Sequence, residues 1–370
     1  MTVDFAVNGR GAEKIRTDDG LSTVMGIKGA NGSGKTNVVK ALGFLSRFCA
    51  YSYEWSKDEK IPLSSWYKNN DPVEFEIEFK LGKKKYKYEL VISCDRVISE
   101  VFYDVTNKRR KIVERESDGF QYVARGYEEL KKVKLKSNSS IFCLIESFSF
   151  ENEMSALKDG RLFFVCIFTN VDDDGYLDID RMLFSSGKDY FEDKKLFSFV
   201  VDIVRKADSG ICDAEIKAIK DANGDVQYIP VFKHNIDGEV RELYLKDESS
   251  GTRSLFQRMR YYYLVLKSGG ILALDEFDIH LHAKILPGLI RLFENEESNP
   301  HGAQFIFTAH NTEIIDSLGK YRTILVNKEG GESYGYRLDE IPGTMIRNDR
   351  TIVPLYLQGK IGGVPDEWEV

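Results

Sequence analysis

One stretch constrains this chain more than any other: Gly29–Thr36, Gly-Ala-Asn-Gly-Ser-Gly-Lys-Thr. It fits the pattern G-x-x-x-x-G-K-[ST] at every fixed position. Gly29, Gly32 and Gly34 let the backbone curl tightly and turn its N–H groups toward an anion. Lys35 adds a mobile positive charge suited to β- and γ-phosphates, and Thr36 offers a hydroxyl to Mg²⁺. Ala30, Asn31, Ser33 and Asn37 complete the run expected to touch a nucleotide. The flanks agree with the loop. Val24–Ile27 is a short apolar stretch able to form a buried strand. After the loop, Val38, Leu42, Leu45 and Phe48 recur at helical spacing, with Val39 and Ala41 widening the face. A strand, a glycine loop and a helix N-terminus together make an anion site.

The rest of the chain must build a core around that unit. At 370 residues, 42% hydrophobic and 30% charged, it reads as soluble and globular, and its length alone would suggest two domains. A net charge of −7 argues against a wholesale nucleic-acid coat. Yet residues 76–136 hold 16 Lys and Arg against 11 Asp and Glu. The runs at Lys83–Lys85, Lys108–Lys111 and Lys131–Lys136 read either as solvated hairpin edges or as a surface for nucleic acid or an acidic partner. Cys49, Cys94, Cys143, Cys166 and Cys212 are scattered and contain no C-x-x-C pair, so neither a disulfide framework nor a zinc site is expected. No signal peptide opens the sequence, and apolar runs such as Leu162–Phe168 are too short to span a bilayer. A cytoplasmic protein is the expectation.

In chain order, Thr2–Val7 reads as a first strand and Asn8–Gly20 as a loop. Tyr51–Asp71 shows no clear period. Val73–Phe79 alternates, with Val73, Phe75, Ile77 and Phe79 on one face and glutamates on the other. Tyr86, Tyr88, Leu90 and Ile92 alternate after a Gly82 turn, which makes a hairpin. Val97–Val105 and Arg110–Glu114 continue the pattern. An antiparallel β subdomain over 72–136 follows. Ser140–Phe150 is an apolar run able to re-enter a core. Glu151–Lys220 reads as a largely helical insert with a polar break at Asn170–Gly175, and without sustained heptads. Val226–Phe232 and Val240–Leu245 read as strands.

Ile271–Leu274 is a four-residue apolar strand that ends in Asp275-Glu276. Beside a phosphate loop, such an aspartate helps hold Mg²⁺, and the adjacent glutamate is placed to activate water as general base. Upstream, Asp247–Thr252 leads into an amphipathic helix carrying Leu255, Met259, Tyr262 and Leu266. Ser249, Ser250 and Gly251 there read either as a plain serine cap or as an anion-binding helix start. Gln304–Thr308 is a further apolar strand, followed by Ala309-His310-Asn311. His310 is placed to bond a γ-phosphate or an attacking water.

These segments, in this order, resemble the ATP-binding-cassette (ABC) ATPase head of the SMC and RecF branch. Gly29–Thr36 matches Walker A, Ser249–Thr252 looks like a divergent signature motif, and Ile271–Glu276 matches Walker B. Phe277–His282 resembles the D-loop region, and His310 matches the switch histidine. Glu248-Ser-Ser-Gly-Thr252, Asp275-Glu-Phe-Asp-Ile-His-Leu-His282 and the closing Leu355–Pro365 are similar to those of standalone bacterial ATPases of abortive-infection and phage-defence loci. These include AriA of the PARIS system, RloA, AbiL and the ATPase part of OLD-family nucleases. Two departures stand out. No glutamine in Ser140–Glu151 takes the Q-loop role, and no TOPRIM nuclease follows the last motif.

The resemblance implies an α/β P-loop NTPase of ABC-head type, with a mixed central sheet, an antiparallel β subdomain and a helical insert. Residues 1–50 and 221–370 would form one nucleotide-binding core, because Lys35 and Asp275 must meet at one Mg²⁺. It also implies a homodimer or higher homo-oligomer. Each ATP would lie between Walker A of one copy and Ser249, Ser250 and Gly251 of another. In that scheme Lys35 neutralises phosphate charge, Thr36 and Asp275 hold the metal, Glu276 activates water and His310 orients it. Hydrolysis would be slow and assembly-dependent. The protein would control a separate nuclease or toxin. The competing expectation is a RecF-like ATPase acting directly on DNA, with the 83–136 basic stretch as the contact.

Overall fold

The computed structural model describes the chain except at residues 8–14, 16, 18, 64, 118, 173–174, 178–185, 222, 344, 348–349 and 366–370. Most of the loop expected at Asn8–Gly20, part of the Asn170–Gly175 break and part of the 151–220 helical stretch lie outside the described residues. The chain divides into two compact units. One comprises Met1–Val39, Phe168–Val171 and Gly175–Val370, and the other comprises Lys40–Ile167 with Asp172–Asp174.

Fourteen strands are formed by the described residues. They are β1 Val24–Gly29, β2 Val73–Leu81, β3 Lys84–Ile92, β4 Val97–Asp104, β5 Arg110–Glu116, β6 Gly119–Val123 and β7 Ile167–Thr169. Then come β8 Ile211–Lys220, β9 Val226–Ile236, β10 Glu239–Tyr244, β11 Ile271–Leu274, β12 Gln304–Thr308, β13 Thr323–Glu329 and β14 Glu332–Arg337.

The first unit is organised by a six-stranded sheet in the order β14-β13-β1-β12-β11-β7. β1 runs parallel to both β12 and β13, and β11 runs parallel to β12, while β14 is antiparallel to β13. Val24, Met25, Ile27, Ile271–Leu274 and Phe305–Phe307 are buried, as near-continuous apolar runs in a two-face-covered parallel sheet should be. Parallel register has a direct consequence for the site. Ile27 pairs with Thr308, and Leu274 pairs with Phe307. The carboxyl ends of β1, β11 and β12 therefore lie side by side, where open α/β sheets place their ligands. The Ser250–Ser268 and Leu286–Glu294 helices bury Leu255, Met259, Tyr262, Leu289 and Phe293 in the same core as Phe305 and Phe307.

A three-stranded antiparallel sheet, β10-β9-β8, also belongs to this unit. Here the expectation of helix through Lys220 is corrected: Ile211–Lys220 is a ten-residue strand paired with β9. Cys212, Ala214, Ile216 and Ala218 alternate with Asp213, Glu215 and Lys217. That period of two outweighs the helical propensity of Ala, Glu and Lys. The insert is helical at Ser155–Val165, Ser186–Glu192 and Lys194–Ala207. Thr2–Val7 is not a strand either; it contributes one isolated bridge, Ala6 to Leu21. β13 and β14, joined at Gly330-Gly331, were not expected from the sequence.

The second unit contains the antiparallel β subdomain, a meander β2-β3-β4-β5-β6. The Val73–Leu81 and Lys84–Ile92 hairpin pairs as its alternation requires, with Phe75 opposite Leu90 and Ile77 opposite Tyr88. Ser140–Glu151, the run that lacks a Q-loop glutamine, lies in this unit. Its Ser140 Oγ and Ile141 N donate to the fully buried Glu100 carboxylate, which Arg115 also neutralises.

Candidate functional site

The loop after β1 closes into a nest because Gly32 and Gly34 take φ of +76° and +101°, a region that costs a residue with a Cβ but not glycine. Asn37 N then donates to Gly34 O, and Ser33 N to Ala30 O. The Ser33 hydroxyl is buried without a hydrogen-bond partner. The Lys35–Tyr51 helix begins immediately afterwards, so its free N–H groups and dipole face the same space. Lys35 Nζ curls back to donate to Gly29 O at 2.8 Å and Ala30 O at 2.9 Å. Burial pulls its pKa down, against the opposing pull of Asp275 and Glu276.

Asp275 stands at the end of β11 and is held from three sides. Thr36 Oγ1 donates to Oδ2 at 2.9 Å, and Thr308 Oγ1 donates to Oδ1 at 2.6 Å. Asn170, just past β7, grips the Asp275 backbone twice: its Oδ1 accepts from Asp275 N at 2.7 Å and its Nδ2 donates to Asp275 O at 2.8 Å. Glu276 has φ of +48°, an uncommon conformation for a residue with a side chain, and its amide donates to Thr308 Oγ1 at 2.8 Å. The His310 ring lies beside it, with Nε2 3.7 Å from Glu276 Oε1. That is an electrostatic contact, too long for a hydrogen bond.

Asn31, Gly32, Lys35, Thr36, Asp275, Glu276, Thr308 and His310 line one cavity of about 250 Å³. Asn31, Gly32, Lys35 and Thr36 of the expected loop thus converge with Asp275, Glu276 and His310 within the first unit, while Gly29, Ala30, Ser33, Gly34 and Asn37 are not among the lining residues. The residues fit magnesium as well. The Thr36 and Asp275 oxygens are 2.9 Å apart, the separation of neighbouring ligands about 2.1 Å from an octahedral ion. Among the described residues no group of three or more His, Cys, Asp or Glu forms a metal site of its own. An anion nest and a cation at one end, with a carboxylate and an imidazole at the other, suit in-line attack of water on a terminal phosphate.

A family model described as "AAA domain, putative AbiEii toxin, Type IV TA system" matches residues 24–316, from the start of β1 to past His310. The chain belongs to this family. Among solved structures, the AAA chain is similar to the SMC head domain from Thermotoga maritima, at 14% identity and a TM-score of 0.38, covering 84% of this chain and 89% of that one. It is also similar to the Smc head domain from Pyrococcus furiosus, solved with an extended coiled coil and bound to the C-terminal domain of ScpA. There the identity is 15% and the TM-score 0.35, over 86% of this chain and 92% of that one. No curated protein matches it.

Ser249, Ser250 and Gly251 were expected to serve the ATP of a second copy rather than this copy's cavity, and they do not line it. Ser249 caps the Ser250–Ser268 helix, accepting from Thr252 N at 3.1 Å. Thr252 Oγ1 donates to Asp208 Oδ2 at 2.9 Å and lies 2.8 Å from Ser249 Oγ. A carboxylate only accepts, so the Thr252 hydrogen goes to Asp208 and the Ser249 hydroxyl donates to Thr252. Gly251 packs against His280 O, which would stand 3.0 Å from a Cβ. Thr308 and Asn170 were missed in the sequence. The sole local signal was a hydrogen-bonding residue at the end of an apolar run.

Among the described residues no helix is long and apolar enough to cross a membrane.

Proposed function

We propose that this protein binds and hydrolyses ATP with Mg²⁺, that two copies pair around the nucleotide, and that this pairing controls a separate toxin or nuclease in defence against phage. The observation that carries the hydrolytic reading is the convergence of Lys35, Thr36, Asp275, Glu276 and His310 on one cavity. Lys35 and the loop N–H groups neutralise phosphate charge. Thr36 and Asp275 hold Mg²⁺, which when bound draws electron density from the phosphate oxygens. Glu276 takes a proton from water as its oxygen bonds to the γ-phosphorus. The bond to the bridging oxygen breaks, and ADP leaves with that oxygen. His310 orients the water or the γ-phosphate.

Pairing is supported by Ser249 lying at a helix start outside the cavity, as expected of a group that serves a second copy's ATP. A regulatory role in defence rests on the family, whose description names a toxin-antitoxin system, and on the resemblance to AriA, RloA, AbiL and OLD ATPases. The direct-DNA reading has less support. Lys84, Lys87, Arg109, Arg110 and Lys111 all pair with acids of their own unit, and Lys136 Nζ is taken up by Tyr53 O and Trp55 O.

The test is Glu276→Gln. It should keep ATP bound, elute as a larger assembly with ATP, and release phosphate about 10² to 10⁴ times more slowly. Release at the wild-type rate would remove Glu276 from the role of general base.

A further inference from the structure

Lys28 is the residue before the phosphate loop, and it points into the protein rather than at the cavity. It is 2% exposed. Its Nζ donates to three consecutive carbonyls: Ala309 O at 2.8 Å, His310 O at 2.8 Å and Asn311 O at 3.2 Å. An ammonium has three hydrogens, so the three carbonyls use all of them. The amides of the same turn face Asp278. His310 N lies 2.9 Å from its Oδ2 and Asn311 N lies 2.6 Å from the same atom. The backbone that carries His310 is therefore gripped on its carbonyls by a cation and on its amides by an anion.

The open side of Lys28 is covered by a part of the chain to which the reaction assigns nothing. Nζ lies 5.8 Å from the centroid of the Tyr356 ring, within the range of a cation–π contact. Tyr356 sits in the short Val353–Leu357 helix, and several bonds pin the segment that follows. Tyr356 OH donates to Gly363 O, Tyr336 OH donates to Ile361 O, and Gly363 N donates to Asn327 Oδ1 on β13.

We propose that Lys28 is a positioning residue for His310, and that the 352–364 segment, by laying Tyr356 over Lys28, sets how firmly the His310 turn is held. The proposal rests on the ATP-hydrolysis reading for its effect on turnover, but not for the clamp itself. Anything that lifts this segment would loosen the switch histidine without touching the nucleotide.

Two measurements on the full chain separate these points. The first is phosphate release, with kcat and KM for ATP determined separately. Lys28→Met should lower kcat about tenfold or more, the cost of losing hydrogen bonds to a charged group, with KM changed far less. Lys28→Arg, which keeps a cation and donors, should retain more turnover than Lys28→Met. Tyr356→Leu should lower kcat in the same sense, and by more than Tyr356→Phe, which keeps the ring. The second is amide hydrogen exchange in nucleotide-free protein. Lys28→Met and Tyr356→Leu should speed exchange at His310 and Asn311 while β1, β11 and β12 stay protected. Unchanged exchange at those two amides in both variants overturns the clamp. Faster exchange with wild-type kcat overturns the positioning role. If the wild-type protein releases no phosphate, the hydrolytic reading falls and exchange alone decides the clamp. Should Lys28→Met not fold, Tyr356→Leu carries both readouts.

Discussion

Thr308 Oγ1 donates a 2.6 Å hydrogen bond to Asp275 Oδ1, and the same oxygen accepts the amide of Glu276 at 2.8 Å. One hydroxyl thus ties the Asp275 carboxylate, proposed to hold Mg²⁺, to the backbone of Glu276, the proposed general base. It does so from the neighbouring strand, because Phe307 pairs with Leu274 and sets Thr308 level with Asp275. Thr308→Val keeps the shape and removes both bonds. It leaves a buried carboxylate oxygen and a strained Glu276 backbone without their partner. The expected loss in kcat is about tenfold to a hundredfold, with a raised Mg²⁺ requirement and retained nucleotide binding. Thr308→Ser should restore most of it. A Thr308→Val enzyme with wild-type kcat and Mg²⁺ dependence would show that the hydroxyl is only a packing group.

Asn170 makes a second kind of support. It is 3% exposed, and it closes a two-bond ring with the Asp275 backbone. Asn170→Ala leaves a buried N–H and C=O unpaired, at a cost of about 1–3 kcal/mol for each group left without a partner. A fall in melting temperature is therefore expected together with weaker Mg²⁺ dependence of nucleotide binding. Asn170→Asp should retain the bond from Asp275 N, lose the one to Asp275 O, and add a negative charge beside the Asp275 carboxylate. A melting temperature equal to wild type in Asn170→Ala would contradict this account.

The parts of the site legible in the sequence are those whose chemistry is fixed by local chain geometry. The nest at Gly32 and Gly34, with Lys35 and Thr36 behind it, is one continuous turn, so its residue types announce it. Asp275 and Glu276 were legible as acids at the tip of an apolar strand. Thr308, Asn170 and Lys28 act through strand neighbours 33, 105 and 281 positions away. Only the sheet order brings those partners together, and no local pattern encodes it. The same holds for the fold. β1, β11 and β12 were read from uninterrupted apolar runs. The Ala, Glu and Lys residues of β8 favour helix individually, and its pairing with β9 decides otherwise. β13 and β14 went unread, although β13 is the second parallel neighbour of β1.

Lys28 also gives the site a pH dependence. Burial lowers its pKa from 10.5 to about 8; Asp278 opposes this and Lys35 adds to it. The His310 carbonyl and the Tyr356 ring also contact its Nζ. Between about pH 8 and 10.5 the unfolded chain holds this proton and the folded chain does not. Stability from this group therefore rises with pH across that window. Activity should move the other way, since a neutral amine has two hydrogens for three carbonyls. Turnover at saturating ATP is expected to fall on the alkaline side, at or above pH 8 because bound phosphate favours the ammonium. Lys28→Met should lack that limb while its residual rate stays level. An alkaline limb of equal size and midpoint in Lys28→Met would assign the titration to another group, with Lys35 the first candidate.

Ser249 offers the sharpest test of pairing. Its hydroxyl hydrogen is directed to Thr252, whose own hydrogen goes to Asp208. Within one copy it is therefore occupied in capping a helix. To bond a γ-phosphate it must release Thr252 and meet a nucleotide held elsewhere. Ser249→Ala should then leave ATP binding to the single chain intact and lower hydrolysis about tenfold or more. Its cost in helix stability should be about 0.5–2 kcal/mol. Lys35→Ala should fail because it cannot hold ATP. Mixed in equal amounts, the two impaired proteins can form a pair with one intact site: Lys35 from the Ser249→Ala copy and Ser249 from the Lys35→Ala copy. Phosphate release by the mixture should exceed that of either variant alone, with up to one working site per mixed pair. Ser250→Ala in place of Ser249→Ala separates the two serines, and only the one that faces the partner's ATP should show this recovery. If no serine variant recovers when mixed, while each remains able to assemble, the site is complete within one copy and the shared-site reading fails.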